Sequence, residues 1–133
     1  MTKTNKYLTM LAVLVTLAAM TAVAMVTTVG NAGAATKAGT TVTIQAEGTD
    51  LSGKVKSTKL SCLGNRMVKV YKQAGTEQRP STDDVIGSDI SERQGDVGVW
   101  STGNTGRTGK IYARTRATLE CKADSSPTIV VRR

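Results

Sequence analysis

Cys62 and Cys121 are the only two thiols in a chain of 133 residues that contains no histidine. Without imidazole there is no Ser-His-Asp or Cys-His machinery, no histidine proton shuttle and no His-ligated metal. Two isolated cysteines also lack the Cys-x-x-Cys spacing of a thiol redox motif. The chemistry left to them is one intrachain disulfide, provided the chain reaches an oxidising compartment. No catalytic residue, no metal ligand set and no cofactor is expected, and the protein is read as a non-enzyme.

Other residue groups are weaker candidates. Asp83, Asp84, Asp89, Glu92 and Asp96 cluster between two strand-like runs. Calcium takes several such oxygens, but the spacing is not that of an EF-hand, and a solvated acidic loop is the plainer reading. Paired carboxylates also serve glycosidases, yet 3% aromatic residues leave little to build a sugar-stacking cleft. The run Ser101 to Lys110 is rich in glycine but is not a phosphate loop. Asn104 stands where the first Walker glycine belongs, and Ile111 stands where Ser or Thr must follow the lysine. A flexible hairpin loop is expected there.

The net charge of +8 has more structure. Basic residues recur on strand-like runs as Lys54, Lys56 and Lys59, as Arg66, Lys69 and Lys72, and as Arg114, Arg116 and Lys122. If the first and third groups share a side, Lys54, Lys56, Arg114 and Arg116 form a cationic stripe. It would attract anionic wall polymers or lipid headgroups. Specific nucleic-acid binding is not expected, because the aromatic residues that stack bases are missing. The plainer alternative is that alternate strand positions face water and lysines protect sheet edges.

The elements that position these residues begin with an address. Lys3 and Lys6 precede Tyr7 to Val29, which carries no charge, and Ala32-Gly33-Ala34 supplies an A-x-A exit. These are the parts of a secretory signal peptide. Cleavage after Ala34 removes 34 of 133 residues and leaves 99, in which 16 basic residues face 10 acidic ones for a net +6. The uncharged stretch exceeds the ~7–15 residues of a usual h-region, so an uncleaved membrane anchor is the alternative. Either way the remainder lies outside the cytoplasm. The expected domains are a signal helix over 1–34, a loose lead-in over 35–40 and one β-domain over 41–133.

That β-domain is written as seven short runs of alternating residues. They are Thr41–Glu47, Leu51–Lys56, Met67–Lys72, Asp84–Ile90, Val97–Ser101, Lys110–Thr118 and Thr128–Arg132, separated by Gly- and Asn-bearing turns. Period-two patterning with turns every ten or so residues predicts an all-β sandwich. Val42, Ile44, Val55, Val68, Val70, Trp100, Ile111 and Ala113 are its expected core. Cys62 precedes the third run and Cys121 follows the sixth, so their bridge ties strand ends together.

Several segments carry a resemblance, in the order Leu51-Ser-Gly-Lys-Val, Cys62, Arg66-Met-Val-Lys-Val-Tyr-Lys72, Ile86-Gly-Ser-Asp89, Gly95-Asp96, Trp100-Ser, Gly109-Lys-Ile-Tyr-Ala-Arg114 and Cys121-Lys-Ala-Asp-Ser-Ser. Together they resemble small secreted β-sandwich domains of actinobacterial type. That layout is in turn similar to carboxypeptidase-regulatory-like and transthyretin-like domains. The resemblance covers Thr41 to Val131 and implies an all-β, seven-stranded Greek-key sandwich of immunoglobulin-like or prealbumin-like type without catalysis, used as a surface or stalk module. Two positions depart from it: Ile111-Tyr112 replaces a pair of tyrosines, and Gly98 occupies a place often held by a large residue. The functional expectation is an exported structural or interaction module, with a cationic binder of envelope polymers or headgroups as the alternative. Its partner would be a protein or a cell-envelope polymer, and it would meet a membrane only if the leader is retained.

Overall fold

The computed structural model describes residues 35–133. The signal-peptide reading of 1–34 falls outside the described residues. Among the described residues there are ten strand segments, seven of which carry the β-branched residues that favour strands. In chain order these are β1 (Thr41–Val42), β2 (Gln45–Glu47), β3 (Asp50–Lys56), β4 (Met67–Lys72), β5 (Asp84–Ile90), β6 (Glu92–Gln94), β7 (Val97–Asn104), β8 (Gly109–Thr115), β9 (Asp124–Ser125) and β10 (Ile129–Val131). A single 3₁₀ turn, Leu60–Cys62, interrupts the β pattern.

The ten segments amount to seven runs of chain. β1 and β2 pair with β3 in one register, Thr41 opposite Lys56 and Glu47 opposite Asp50. β9 and β10 share the same side of β8, and only Ser91 separates β5 from β6. The first antiparallel sheet runs β1/β2, β3, β7, β6, and the second runs β9/β10, β8, β4, β5. Lettered A to G, the runs give sheets A-B-E-D and G-F-C, which is the immunoglobulin-type Greek key. The D run departs from it by starting in the second sheet and finishing in the first.

That change of sheet is made at Ser91, which is fully buried. Its N–H donates to the Arg66 carbonyl at 2.9 Å and its hydroxyl to the Leu63 carbonyl at 2.7 Å. Asn65 N–H donates in turn to the Ser91 carbonyl at 2.7 Å. Asn65 adopts φ 55°, a conformation asparagine tolerates better than most residues.

Aspartates close both open sides of the sandwich. On one side, Asp89 of β5 accepts the Ser101 N–H of β7 at 2.7 Å. On the other, Asp124 of β9 accepts the Val42 N–H of β1 at 2.7 Å. Each carboxylate thus satisfies a backbone donor that lies in the opposite sheet.

Between the sheets, Val42, Leu51, Val55, Val68, Val70, Trp100, Ile111, Ala113 and Val131 form the buried core, with Ile44 packed against it and half-buried. Every expected core residue is therefore in it or on its margin. Alternation holds along β3, where Leu51 and Val55 are buried while Lys54 and Lys56 are exposed. It fails at Ala46, which is exposed. The sixth run stops at Thr115 rather than Thr118 because the chain then turns back, Thr118 N–H donating to the Cys121 carbonyl at 2.9 Å.

The lead-in was expected to be loose, and at Ala38 it is not. Ala38 forms a parallel bridge with Cys121, donating to the Glu120 carbonyl at 2.7 Å and accepting from Lys122 N–H at 2.8 Å. The unpaired backbone beside the disulfide offers a partner that a small, polar segment takes up.

The packing explains Gly98, where the resemblance implied a large residue. A Cβ there would collide with the Leu63 carbonyl, the same carbonyl that Ser91 holds in place. Gly98→Ala is therefore expected to lower unfolding free energy by about 1–3 kcal/mol, read as a lower denaturant midpoint in Trp100 fluorescence. Gly75→Ala, with nothing within 4 Å of its added methyl, should stay within about 0.5 kcal/mol of the parent. Equal effects of the two changes would refute the packing account.

Candidate functional site

One end of the sandwich is covalently closed. Cys62 ends the 3₁₀ turn after β3, Cys121 lies in the connection after β8, and their sulfurs are bonded with a Cα–Cα separation of 5.7 Å. The bridge joins the connection between the B and C runs to the one between F and G, spanning 59 residues of sequence. Glu120 adds exposed links, accepting from Lys59 Nζ at 2.8 Å and from the Ser61 hydroxyl at 2.7 Å. These contacts hold its carboxyl below the usual glutamate range.

Beneath the bridge lies Arg66, only 3% exposed. Its guanidinium donates to the Thr115 hydroxyl at 2.7 Å and to the carbonyls of Arg116 at 2.8 Å and Lys122 at 3.2 Å. The other nitrogen reaches the Thr40 hydroxyl at 3.3 Å and the Cys62 carbonyl at 3.4 Å. Burial pulls its pKa below the ordinary guanidinium value, and carbonyl dipoles take the place of a carboxylate partner. Arg66 thus ties the lead-in, both loops and β8 into one unit. In the sequence it looked like one more basic residue of a strand-like group. Nothing local distinguishes a buried arginine from a solvated one.

A second buried polar centre lies on the outer face of the second sheet. Tyr71 of β4 and Tyr112 of β8 are register partners, stacked with ring centroids 5.2 Å apart. Residues 73–83 fold across them. Asp83 accepts from Ala74 N–H at 3.0 Å, Arg79 N–H at 2.6 Å and the Tyr112 hydroxyl at 2.8 Å. The two backbone donors first, and the tyrosine with them, hold the Asp83 carboxyl below the usual aspartate range. Burial, then the neighbouring carboxylate, pushes the Tyr112 phenol well above its ordinary value.

The acidic residues that the sequence grouped are thus dispersed. Asp83 organises a loop, and Asp89 caps Ile90 N–H at 2.8 Å while bridging the sheets. Glu92 lies on β6, in the other sheet. Among the described residues, no group of three or more His, Cys, Asp or Glu side chains is placed to hold a metal ion. Trp100 is an inter-sheet anchor as expected, 3% exposed, and its indole N–H has no hydrogen-bond partner among the described residues.

The basic residues separate as well. Lys54 and Lys56 project from the outer face of the first sheet, opposite in sense to buried Val55. Arg114 belongs to β8 in the second sheet, and Arg116 follows just beyond that strand. The four residues therefore do not make one stripe. Arg114 instead has Lys69 of β4 as its register partner, a neighbour that no local signal discloses because β4 and β8 are far apart in sequence.

A groove of about 630 Å³ runs along the corner where the D run changes sheets, between Asn65, Met67 and the segment Ser88 to Arg93. Among the described residues, no helix is long and apolar enough to cross a membrane. These features define a disulfide-closed, immunoglobulin-type β-sandwich with Lys54 and Lys56 on one outer face and Lys69 and Arg114 on the other. No protein-family model matches the chain, and neither does any curated protein.

The Asp83 contacts have a pH signature. Its folded-state pKa is depressed below the ~3.9 of an unstructured aspartate. Its contribution to stability is therefore complete above that value and is lost as pH falls through the folded-state pKa. Asp83→Asn should melt below the parent protein at neutral pH, and the gap should narrow as pH drops under about 4. Melting curves between pH 7 and pH 2 check this, and a gap that is constant with pH would count against it.

Proposed function

We propose that this chain is an exported, non-catalytic interaction module that acts at the cell surface or in the medium. The observation that carries this reading is the Cys62–Cys121 bond. Structural disulfides persist in oxidising compartments and are rare in reducing ones. In a domain with one tryptophan and no phenylalanine, such a staple supplements a modest apolar core. The charge and residue pattern of the leader supports the same destination.

The surface favours a second reading within that frame, a cationic binder of anionic wall polymers or lipid headgroups. Lys54 and Lys56 on one outer face, and Lys69 and Arg114 on the other, are in none of the ion pairs among the described residues, which are Lys59–Glu120 and Arg79–Glu77. Basic groups left unpaired on both faces attract polyanions at low ionic strength.

Intact mass under non-reducing conditions, measured on protein from the medium and from membranes, tests the export reading. The expected species is the 99-residue form that follows Ala34, lighter by two hydrogens than its reduced mass. Full-length protein confined to membranes would identify an anchored module instead. A chain that stays in the cytoplasm with both thiols free would overturn the proposal.

A further inference from the structure

One row of side chains across the second sheet has a composition that folding alone does not account for. Ser88 of β5, Lys69 of β4, Arg114 of β8 and Ser125 of β9 are successive register partners. Partners in one row of an antiparallel sheet project to the same face. Val68 and Val70 flank Lys69, Ala113 and Thr115 flank Arg114, and all four are buried. The row therefore faces outward.

At its centre two cations stand directly opposite each other. Such partners have Cβ atoms about 4.5–5.5 Å apart, and like charges in that position repel. Neither Lys69 nor Arg114 is relieved by a carboxylate among the described residues. Arg114 Nη1 donates to the Ser125 hydroxyl at 2.9 Å, which orients the guanidinium fork, and among the described residues its remaining N–H groups meet no acceptor. One side of the row is closed by the Tyr71–Tyr112 pair under residues 73–83. On the other side lie half-exposed Met67 and Ile90, themselves register partners. The corner groove begins there and is lined by Ser88 at the end of the row.

We propose that this row is a phosphate-binding site, with Arg114 and Lys69 holding the anion and the hydroxyls of Ser88 and Ser125 completing its donor set. The proposal rests on the cationic-binder reading and assigns it a place and a ligand chemistry. A phosphate ester suits the row better than a carboxylate does. A single carboxylate has one charge and two oxygens, which an arginine fork satisfies by itself. A second cation and two hydroxyls match a tetrahedral phosphate, whose four oxygens reach beyond the plane of one arginine fork even in a singly charged diester. The phosphate would belong to a wall polymer or a lipid headgroup, with the substituent beside it directed into the groove.

The test uses the exported protein with three probes: soluble inorganic polyphosphate, phosphatidylglycerol-containing vesicles and poly-glutamate. Binding to polyphosphate or to the vesicles is expected, weakening steeply with salt, and poly-glutamate should bind at least about tenfold less tightly. Lys69→Gln and Arg114→Gln should each weaken binding by about tenfold or more, as expected for loss of a charge-assisted contact. Without ligand, neither variant should melt below the parent, because each removes a like-charge repulsion. Arg107→Gln, in the exposed loop between β7 and β8, should leave binding within about twofold, since it lies outside the row.

Binding to polyphosphate alone assigns the phosphate to a polymer, and binding to vesicles alone assigns it to a headgroup; both outcomes support the site. A loss from Arg107→Gln equal to those from Lys69→Gln and Arg114→Gln, or equal affinity for poly-glutamate, would mean diffuse charge attraction and overturn the site while the cationic-binder reading stands. No binding of the parent protein to any probe would overturn both.

Discussion

The Cys62–Cys121 bond is the constraint on which the other contacts at its end depend. The apolar core draws on small β-branched residues and one tryptophan, so burial alone gives the two sheets a limited hold on each other. In the chain-entropy view, closing a loop of this span limits the unfolded chain by about 4 kcal/mol. The bond acts locally too. It brings the carbonyls of Cys62, Arg116 and Lys122 around one point, and this makes burial of the Arg66 guanidinium affordable. Without the bridge, the loops would be free to part and leave a buried cation short of acceptors, a costly state.

A second theme is the use of hydroxyls where the strands break. Between β1 and β2, Lys54 N–H donates to the Thr43 hydroxyl at 3.0 Å. Between β9 and β10, Ala113 N–H donates to the Ser126 hydroxyl at 2.9 Å. Ser91 plays the same part at the sheet-changing corner, accepting Arg66 N–H at 3.2 Å. A ladder that is interrupted leaves donors that must find partners. Serine and threonine carry an acceptor two bonds from the backbone, so they permit kinks that an aliphatic residue would leave unsatisfied. The two seam aspartates, Asp89 and Asp124, extend this to donors that lie across the sandwich.

What the sequence disclosed follows from the range of each signal. Strand positions and inward faces depend on nearest neighbours, so period-two alternation located Val55 between Lys54 and Lys56 and Val70 between Lys69 and Tyr71. The pairing of two lone cysteines followed from number and compartment. Register between distant strands has no local signature, and every error about the basic residues arises there. Lys54 and Arg114 were grouped by charge, yet they occupy different sheets, while Lys69 and Arg114 meet. Arg66 and Asp83 went unrecognised for the same reason: their partners lie far away in sequence or on the backbone. Ala38 looked loose because the edge it joins exists only once Cys121 is in place.

The division of labour between the two signs of charge gives the surface its character. Four of the ten carboxylates serve as structural acceptors: Asp83 on two backbone N–H groups and a phenol, Asp89 and Asp124 on the two seams, Glu120 beside the disulfide. Their charges still contribute to the overall field, but their oxygens are occupied and held against the fold. Arg66 is the buried exception among the basic residues, whereas Lys54, Lys56, Lys69 and Arg114 project outward. On the second sheet an approaching ligand therefore meets Lys69 and Arg114, which no carboxylate pairs among the described residues, while exposed carboxylates Glu47, Asp50 and Glu92 lie on strands of the first sheet. A net charge alone would not reveal this asymmetry, and it favours anions as the ligands of this sandwich.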